Sequence, residues 1–151
     1  MQETRVIYKV KSASEEAIYQ HLLACDEYFK PALSKKVDIC EYSKKIFDKA
    51  ITFEAWHDAI LSGMVAVYCN DANQLAFITN VSVMRDAVKA GIASQLMKMC
   101  IEYCFATLIK EIILEVNSQN TNAIELYKKF NFNFTGTKGD EIEMKLIIVS
   151  I

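Results

Sequence analysis

The sequence predicts a mixed α/β (α+β) fold: a mostly antiparallel sheet of about seven strands, flanked by about four helices, with one parallel pair of central strands. Seven short segments show the apolar or alternating pattern of β-strands. Three of them follow one another closely between residues 50 and 83, which is typical of an antiparallel meander. A strand–helix–strand unit follows, and its right-handed crossover makes the two strands parallel.

The N-terminal part is predicted to contain one strand and one long helix. Arg5–Val10 alternates between apolar and polar residues, as a strand does. Ser12 and Glu15 have the spacing of a capping box, so a helix should begin there and run to about Phe29. Pro31, the only proline, should end it. The expected buried stripe of this helix comprises Ile18, Leu22, Cys25 and Phe29.

A second helix and the meander follow. The helix is expected over Ser34–Asp48, and the strands over Ala50–Trp56, Ile60–Cys69 and Leu75–Val83. Gly63 interrupts the second of these strands, which predicts a bulge or a close approach of another backbone. One face of the helix carries Ile39, Tyr42 and Ile46.

The C-terminal half contains the strand–helix–strand unit and a closing hairpin. Gly91–Ala106 has the clearest helical spacing in the chain. Glu111–Val116 is predicted to be a strand buried on both faces and parallel to the third meander strand. Asn120–Phe130 is expected to form a short helix. Phe132–Thr135 and Ile142–Ile148 should pair across a glycine-containing turn.

Composition narrows the classes of function. A length of 151 residues, 52% hydrophobic and 24% charged, fits a single domain over residues 1–151. The net charge of −2 argues against a nucleic-acid partner, which needs a concentrated basic face. The N-terminus has no apolar leader, and no apolar run approaches the ~20 residues that span a bilayer, so no membrane partner is expected.

The five cysteines lack CxxC spacing, and their number is odd. Free thiols indicate a reducing compartment, so we expect a cytoplasmic protein. Cys100 and Cys104 lie one helical turn apart and could reach one metal ion, but they stand on a mostly apolar helix without a second ligand pair. We therefore expect both to pack in the core and expect no metal.

The junction between the strand ending at Val83 and the helix beginning at Gly91 predicts an anion site. The first N–H groups of a helix lack intrahelical partners, and the helix dipole favours negative charge there. A glycine lets a ligand approach the backbone closely. We interpret this junction as a phosphate-binding turn.

Other common motifs are absent. The sequence contains no GxGxxG after a strand, no GxxxxGK[ST], no GxSxG and no HExxH. His21 and His57 are isolated, and each is expected at the surface or in a satisfied packing role rather than in catalysis.

Two stretches carry a family resemblance, VSVMRDAVKAGIASQLM and LEVNSQNTNAIELYKKFNF. The first resembles the pyrophosphate loop, Q/R-x-x-G-x-G/A, of the GNAT superfamily of acyl-CoA-dependent N-acetyltransferases, with Gly91 and Ala93 at the small-residue positions. The second is similar to the family's LEV…N..A..LY.k.GF signature. The residues that match this signature are Glu115, Val116, Asn120, Ala123, Leu126, Tyr127 and Phe132.

The resemblance implies acetyl transfer from acetyl-CoA to a primary amine of a small molecule, by direct attack in a ternary complex. Tyr127 matches the tyrosine often taken as general acid. Asn120 matches the family's usual side-chain contact to the cofactor arm, and Ala123 and Tyr127 are also expected to bind the cofactor. Packing beside Ala123 and Phe130 is the alternative role for Tyr127, and a simple N-cap is the alternative for Asn120. The pantetheine arm is expected along Val81, Ser82 and Val83, and the pyrophosphate on the amides of Val88, Lys89, Ala90, Gly91, Ile92, Ala93 and Ser94.

The reaction explains why such residues are needed. An N–H donor must stabilise the developing oxyanion, and the amide of Val81 or a near neighbour is the candidate. A tyrosine hydroxyl, with an ordinary pKa of about 10, can protonate the departing thiolate. For the general base Glu54 is a weak candidate, with a plain surface strand position as its alternative, and His57 lies near it. Thr79 and Asn80 could instead orient a water.

The chain departs from the family pattern at two positions. Val88 stands where Arg or Gln is usual, although Lys89 could compensate by its charge. Asn131 replaces a glycine, and asparagine tolerates the left-handed conformation.

Two alternative functions remain open from sequence. One is acetylation of a protein lysine or N-terminal amine, which an extended groove would favour. The other is a catalytically silent acyl-CoA sensor. Members of the family often form homodimers, and the sequence leaves the oligomeric state open.

Overall fold

The computed structural model describes residues 5–85 and 91–148. In these ranges the chain forms four α-helices and seven strands in the predicted order. No helix in the described part of the chain is both long and apolar enough to cross a membrane. The elements are β1 (Val6–Val10), α1 (Glu15–Cys25), α2 (Ile39–Lys49), β2 (Ile51–His57), β3 (Ile60–Asn70), β4 (Leu75–Val83), α3 (Ile92–Ala106), β5 (Glu111–Asn117), α4 (Thr121–Lys129), β6 (Asn133–Lys138) and β7 (Glu141–Ile147).

The seven strands form one sheet in the order β1-β2-β3-β4-β5-β7-β6. The pairs β1–β2, β2–β3 and β3–β4 are antiparallel, which confirms the predicted meander. β4 and β5 are parallel, as the crossover through α3 requires. β7 pairs antiparallel with both β5 and β6 and closes the sheet.

Two apolar clusters cover the opposite faces of this sheet. Successive strand residues point to opposite faces, so Val65 and Val67 of β3 join one cluster while Met64 and Ala66 join the other. The first cluster packs against α3 and α4, and the second against α1 and α2. The sheet is therefore the middle layer between two pairs of helices.

β4 contains a bulge at Thr79. Its partners on β3 shift so that Ile78 faces Val67 and Asn80 faces Ala66, which leaves Thr79 as the extra residue. The bulge reverses which side chains face α3. Before it, Ile78 lies in the α3 cluster; after it, Val81 packs there, while Asn80 turns towards α1.

Gly63 confirms the predicted bulge, whereas the atoms that approach it closely belong to side chains of α3 and not to another backbone. Ser62 is an extra residue between the pairs Ala55–Gly63 and Trp56–Leu61, which makes a bulge. A side chain at Gly63 would also collide with α3, because its Cβ would lie 2.8 Å from Ile92 Cγ2. The absence of a side chain therefore lets the start of α3 lie directly on β3.

Several predicted boundaries were wrong. The cap of α1 is Ser14, whose side chain accepts a hydrogen bond from the Ala17 amide, whereas Ser12 bonds to a glutamate of β2. The α-helix ends at Cys25 rather than near Phe29, because Asp26–Tyr28 tightens into a 3-10 turn. The second helix begins after its Asp38 cap rather than at residue 34, and a separate 3-10 turn covers Leu33–Lys35.

β5 is not buried on both faces. Its residues Ile112 and Leu114 are buried under α3, but Ile113 is only partly buried and Glu115 is exposed on the other face. The reason is that the apolar cluster under α1 and α2 takes its strand residues from β2 and β3 and includes none from β5.

The closing hairpin is tighter than predicted. β6 extends to Lys138, so the residues expected in a longer loop belong to the strand, and Gly139 turns the chain at φ +61°. Asn131 adopts φ +71°, which confirms that asparagine takes the left-handed conformation at the position of the expected glycine.

Candidate functional site

The parallel pair β4–β5 opens into a cleft. Pairing between the strands runs from Leu75 with Glu111 to Ile78 with Leu114 and ends there, next to the bulge at Thr79. Beyond this point the strands separate, and a cavity of about 490 Å³ lies between the end of β4 and the helices α3 and α4. It is lined by Cys25, Tyr28, Phe29, Val81, Ser82, Val83, Arg85, Gly91, Ala93, Ser94, Asn120, Asn122, Ala123, Leu126 and Tyr127.

The N-terminus of α3 forms one end of this cavity. Gly91 is its cap, with φ +70°, and the first hydrogen bond within the helix runs from the Gln95 amide to the Gly91 carbonyl, at 3.1 Å. The amides of Ile92, Ala93 and Ser94 precede that bond, so the helix's own ladder does not use them. The side chain of Ile92 points into the core, which leaves only its backbone for a ligand.

A smaller cavity of about 130 Å³ lies beside the first, on the other side of Val81. Two carboxylates line it, Glu115 and Glu141, and Glu141 is paired with Lys36 at 3.2 Å. Phe29 and Tyr127 line both cavities. The remaining lining residues are Lys30, Pro31, Leu33, Lys36, Thr79, Asn80, Val81, Val116, Asn117 and Asn120.

Tyr127 lies where the two cavities meet. Its side chain is 6% exposed and its ring packs against Phe132, with centroids 6.0 Å apart. Burial raises the pKa of Tyr127 above its ordinary value, so the phenol stays protonated at neutral pH. The two sequence interpretations, a packing residue and a residue at the site, therefore coincide in one side chain.

Asn120 also combines two positions. Its side-chain oxygen caps α4 by accepting a hydrogen bond from the Ala123 amide at 3.2 Å, and the residue lines both cavities. The cap fixes the side chain where the two strands separate.

Glu54 is placed differently from the sequence expectation. Its side chain is fully buried, so the surface alternative is wrong. The carboxylate accepts five hydrogen bonds, from the Ser12 amide and hydroxyl, the Ala13 amide, the Thr52 hydroxyl and the Trp56 indole. Neither cavity is lined by Glu54. A carboxylate that already accepts five hydrogen bonds and lines neither cavity is a poor general base; Glu54 instead joins the start of α1 to β2.

A buried hydrogen-bonded chain that sequence reasoning missed runs from α1 to the wall of the cleft, where Ser82 and Asn80 line the two cavities. His21 of α1 is 2% exposed; its Nδ1 lies 2.8 Å from the Leu61 carbonyl and its Nε2 2.8 Å from Ser82 Oγ. Ser82 Oγ lies 2.7 Å from Asn80 Oδ1. Because a carbonyl only accepts, Nδ1 carries the proton of the neutral ring. The spacing of His21 from Ile18 and Cys25, three and four residues, was the signal that it belongs to the buried stripe.

We expect His21 to make folding stability depend on pH. Burial lowers the pKa of His21 from 6.5 to about 4, although its hydrogen bonds oppose the change. Between these values the unfolded chain binds a proton that the native chain excludes, so stability falls as pH decreases, by about 2 kcal/mol between pH 7.5 and 5. Urea unfolding at the two pH values measures this loss. His21→Gln should remove most of it, whereas His57→Gln should retain it; equal slopes in wild type and His21→Gln would refute the assignment.

The remaining candidates are placed as follows. His57 is half-buried, and its Nε2 has no hydrogen-bond partner within residues 5–85 and 91–148. Cys100 and Cys104 are fully buried in the α3 cluster, which confirms core packing. No group of three or more His, Cys, Asp or Glu in the described chain is arranged to hold a metal. The predicted phosphate-binding positions Val88, Lys89 and Ala90 lie outside the described residues.

Thr79 and Asn80 reach the smaller cavity from the bulge. The Tyr42 hydroxyl lies 2.8 Å from the Thr79 carbonyl oxygen and 2.7 Å from Thr79 Oγ1, and Asn80 belongs to the chain with Ser82. Tyr42 of α2 thus holds Thr79, and Asn80 is linked to His21 of α1 through Ser82. Both side chains present polar atoms at the point where the strands separate.

The sequence model of the Acetyltransferase (GNAT) family matches residues 15–132 of the chain. No curated protein sequence matches it significantly.

Solved structures share the fold at low identity. The PaiA N-acetyltransferase from Thermoplasma acidophilum in complex with coenzyme A has a TM-score of 0.77 at 16% identity, over 94% of this chain and 99% of its own. The ribosomal-protein-S18-alanine N-acetyltransferase from Escherichia coli has a TM-score of 0.73 at 17% identity, over 96% of each chain. A Bacillus subtilis acetyltransferase in complex with CoA has a TM-score of 0.74 at 16% identity, over 96% of this chain and 100% of its own. At such identities the likeness shows the fold.

Proposed function

The chain belongs to the GNAT family of acetyltransferases, and we propose that it transfers the acetyl group of acetyl-CoA to a primary amine of a small molecule by direct attack in a ternary complex. The observation that carries the proposal is the cleft between β4 and β5. Its larger cavity has the N-terminus of α3 at one end and Tyr127 at the boundary with the smaller cavity. One cavity suits an elongated anionic cofactor, and the other its reaction partner.

Acetyl-CoA fits the larger cavity in one direction. Its pyrophosphate would lie on the amides of Ile92, Ala93 and Ser94, where the helix dipole favours negative charge. Its pantetheine arm would run along Val81–Val83 towards the bulge, where β4 no longer pairs with β5. The thioester would then reach the point where the two cavities meet.

The smaller cavity would hold the acceptor amine. Of its two carboxylates, Glu141 is neutralised by Lys36, so Glu115 is the group best placed to take the proton of a substrate ammonium, directly or through a water held by Thr79 or Asn80. The free amine then attacks the thioester carbonyl, and a β4 amide near Val81 stabilises the oxyanion. As the C–S bond breaks, the Tyr127 hydroxyl donates its proton to the leaving thiolate, and the second proton that the acylated nitrogen loses restores the phenol.

The volume of the smaller cavity favours a small acceptor over a peptide. It measures about 130 Å³, and residues of the connection between α1 and α2 (Phe29, Pro31 and Leu33) form part of its wall. An extended peptide needs an open groove, whereas an amino sugar, an amino acid or the end of a polyamine needs a pocket of this kind.

The test combines binding with turnover. Calorimetry should detect acetyl-CoA binding to the purified chain, and small amines should cause release of the free thiol of coenzyme A. Glu115→Gln should bind acetyl-CoA as wild type does but release thiol about 100-fold more slowly, because the general base is lost. The panel should include lysine-containing peptides beside amino sugars, amino acids and polyamines.

The possible results separate the alternatives. Thiol release with peptides alone would replace the small-molecule acceptor by a protein. Acetyl-CoA binding without turnover on any amine would identify a silent acyl-CoA sensor. A folded wild-type chain that does not bind acetyl-CoA would refute the cofactor assignment.

A further inference from the structure

We propose that Arg85 is the side-chain cation that binds the phosphates of coenzyme A in this chain, and that the ring of Tyr28 holds its guanidinium ready for them. The inference rests on the proposed function and assigns a binding role to two residues that no motif identified. Arg85 follows the end of β4 by two residues, and Tyr28 ends the 3-10 turn after α1. Two separate segments of the chain therefore bring the two side chains to the larger cavity.

The position of Arg85 relative to the anion site supports the proposal. It lines the same cavity as Gly91, Ala93 and Ser94, the residues at the N-terminus of α3. Among the described residues that line this cavity it is the only charged one, of either sign. Of the described lining residues, a phosphate at the helix N-terminus would thus meet one guanidinium and no carboxylate.

The contact with Tyr28 restrains the guanidinium. Its central carbon lies 5.5 Å from the ring centroid, the distance of a cation–π interaction. A free arginine loses rotamer freedom when it binds a ligand, and an arginine that is already restrained loses less. Tyr28 is 42% exposed, so the pair lies at the mouth of the cavity, where the phosphates of a cofactor inserted thioester-first would remain.

The chemistry explains why this chain needs such a residue. Backbone amides offer only partial charges, while a guanidinium offers a full charge and paired donors that match phosphate oxygens. At the consensus Arg or Gln position the chain has Val88, whose side chain has neither charge nor donor. Arg85 stands three residues earlier and supplies both.

Calorimetry with coenzyme A tests the proposal on the full chain. Arg85→Met should weaken binding roughly tenfold and make the affinity less dependent on NaCl, because one charge–phosphate contact is gone. Arg85→Lys should restore part of the loss. Tyr28→Phe should bind as wild type does, because the ring is retained, whereas Tyr28→Leu should weaken binding roughly threefold.

Lys45 gives the matched control. Its ammonium lies 5.2 Å from the Tyr68 ring centroid, and neither residue lines the two cavities. Lys45→Met removes the same charge and the same kind of contact, and should leave coenzyme A binding unchanged. Phosphate-free pantetheine should lose no affinity in Arg85→Met.

Two results would overturn the inference: wild-type affinity in Arg85→Met, or an equal loss in Lys45→Met, which would point to the overall charge. Failure of the proposed function is distinguishable, since the wild-type chain itself would then not bind coenzyme A. Circular dichroism melting of each variant excludes unfolding as the cause.

Discussion

Tyr127→Phe should lower kcat by about 100- to 1,000-fold and leave the affinity for acetyl-CoA within about twofold of wild type. The substitution removes one hydroxyl and keeps the ring that packs against Phe132. Burial keeps the phenol protonated at neutral pH, so in the wild type it has a proton to donate when the thiolate departs. Without the hydroxyl, the thiolate must leave unprotonated or take a proton from water. Steady-state thiol release and calorimetry measure the two quantities.

Tyr103→Phe is the matched control for that prediction. Tyr103 is a partly buried tyrosine of α3 whose ring packs against Phe53, and it lines neither cavity. It should retain wild-type kcat. Unchanged turnover in Tyr127→Phe would remove the acid role and leave Tyr127 as a packing residue at the cleft; an equal fall in both variants would indicate a loss of structure instead.

Gly91→Trp should weaken coenzyme A binding by at least about 100-fold, which places it beyond the range of ordinary calorimetry. Two effects combine. A non-glycine residue is strained at φ +70°, and the indole would stand in front of the amides that we propose bind the pyrophosphate. A Cβ at this position meets no atom within 4 Å, so the loss would not arise from a collision in the core.

Gly139 offers a control with the same backbone requirement. Its φ is +61°, and a Cβ built at this position would also meet no atom within 4 Å. Gly139 lies in the β6–β7 turn and lines neither cavity. Gly139→Trp should cost similar stability but preserve coenzyme A binding. Equal binding losses in both variants would mean that strain alone accounts for them, and wild-type binding in Gly91→Trp would refute the phosphate turn.

The regular elements could be predicted from sequence because their signals are local. Alternation in β1 and the helical spacing of α3 are properties of neighbouring residues, so they can be recognised without knowledge of the fold. Boundaries failed where two local signals compete. Ser12 and Ser14 can each cap a helix, and the choice depends on Glu54, which lies about forty residues away and takes the hydroxyl of Ser12.

The residues of the candidate site could likewise be predicted only where their signal is local. Gly91, Asn120 and Tyr127 were found because short motifs carry them, and the structure brings all three to one cavity. The chain of His21, Ser82 and Asn80 was missed because its members are 61 and two positions apart, and the phase of β4 depends on a bulge that alternation does not reveal. The pairing of Lys36 with Glu141 across 105 positions leaves no pattern in the sequence either.

The bulge at Thr79 decides which of the following residues face each layer of helices. The extra residue shifts the alternation by one position, so Asn80 and Ser82 face α1 while Val81 and Val83 face α3. If the same residues formed a regular strand without the bulge, the amide and the hydroxyl would point at the apolar cluster and the two valines at His21. Deleting Thr79 itself would leave Ile78 opposite Val67 and Asn80 opposite Ala66, so the strand would keep its phase; the packing of β4 thus depends on where the extra residue is accommodated rather than on the length of the strand.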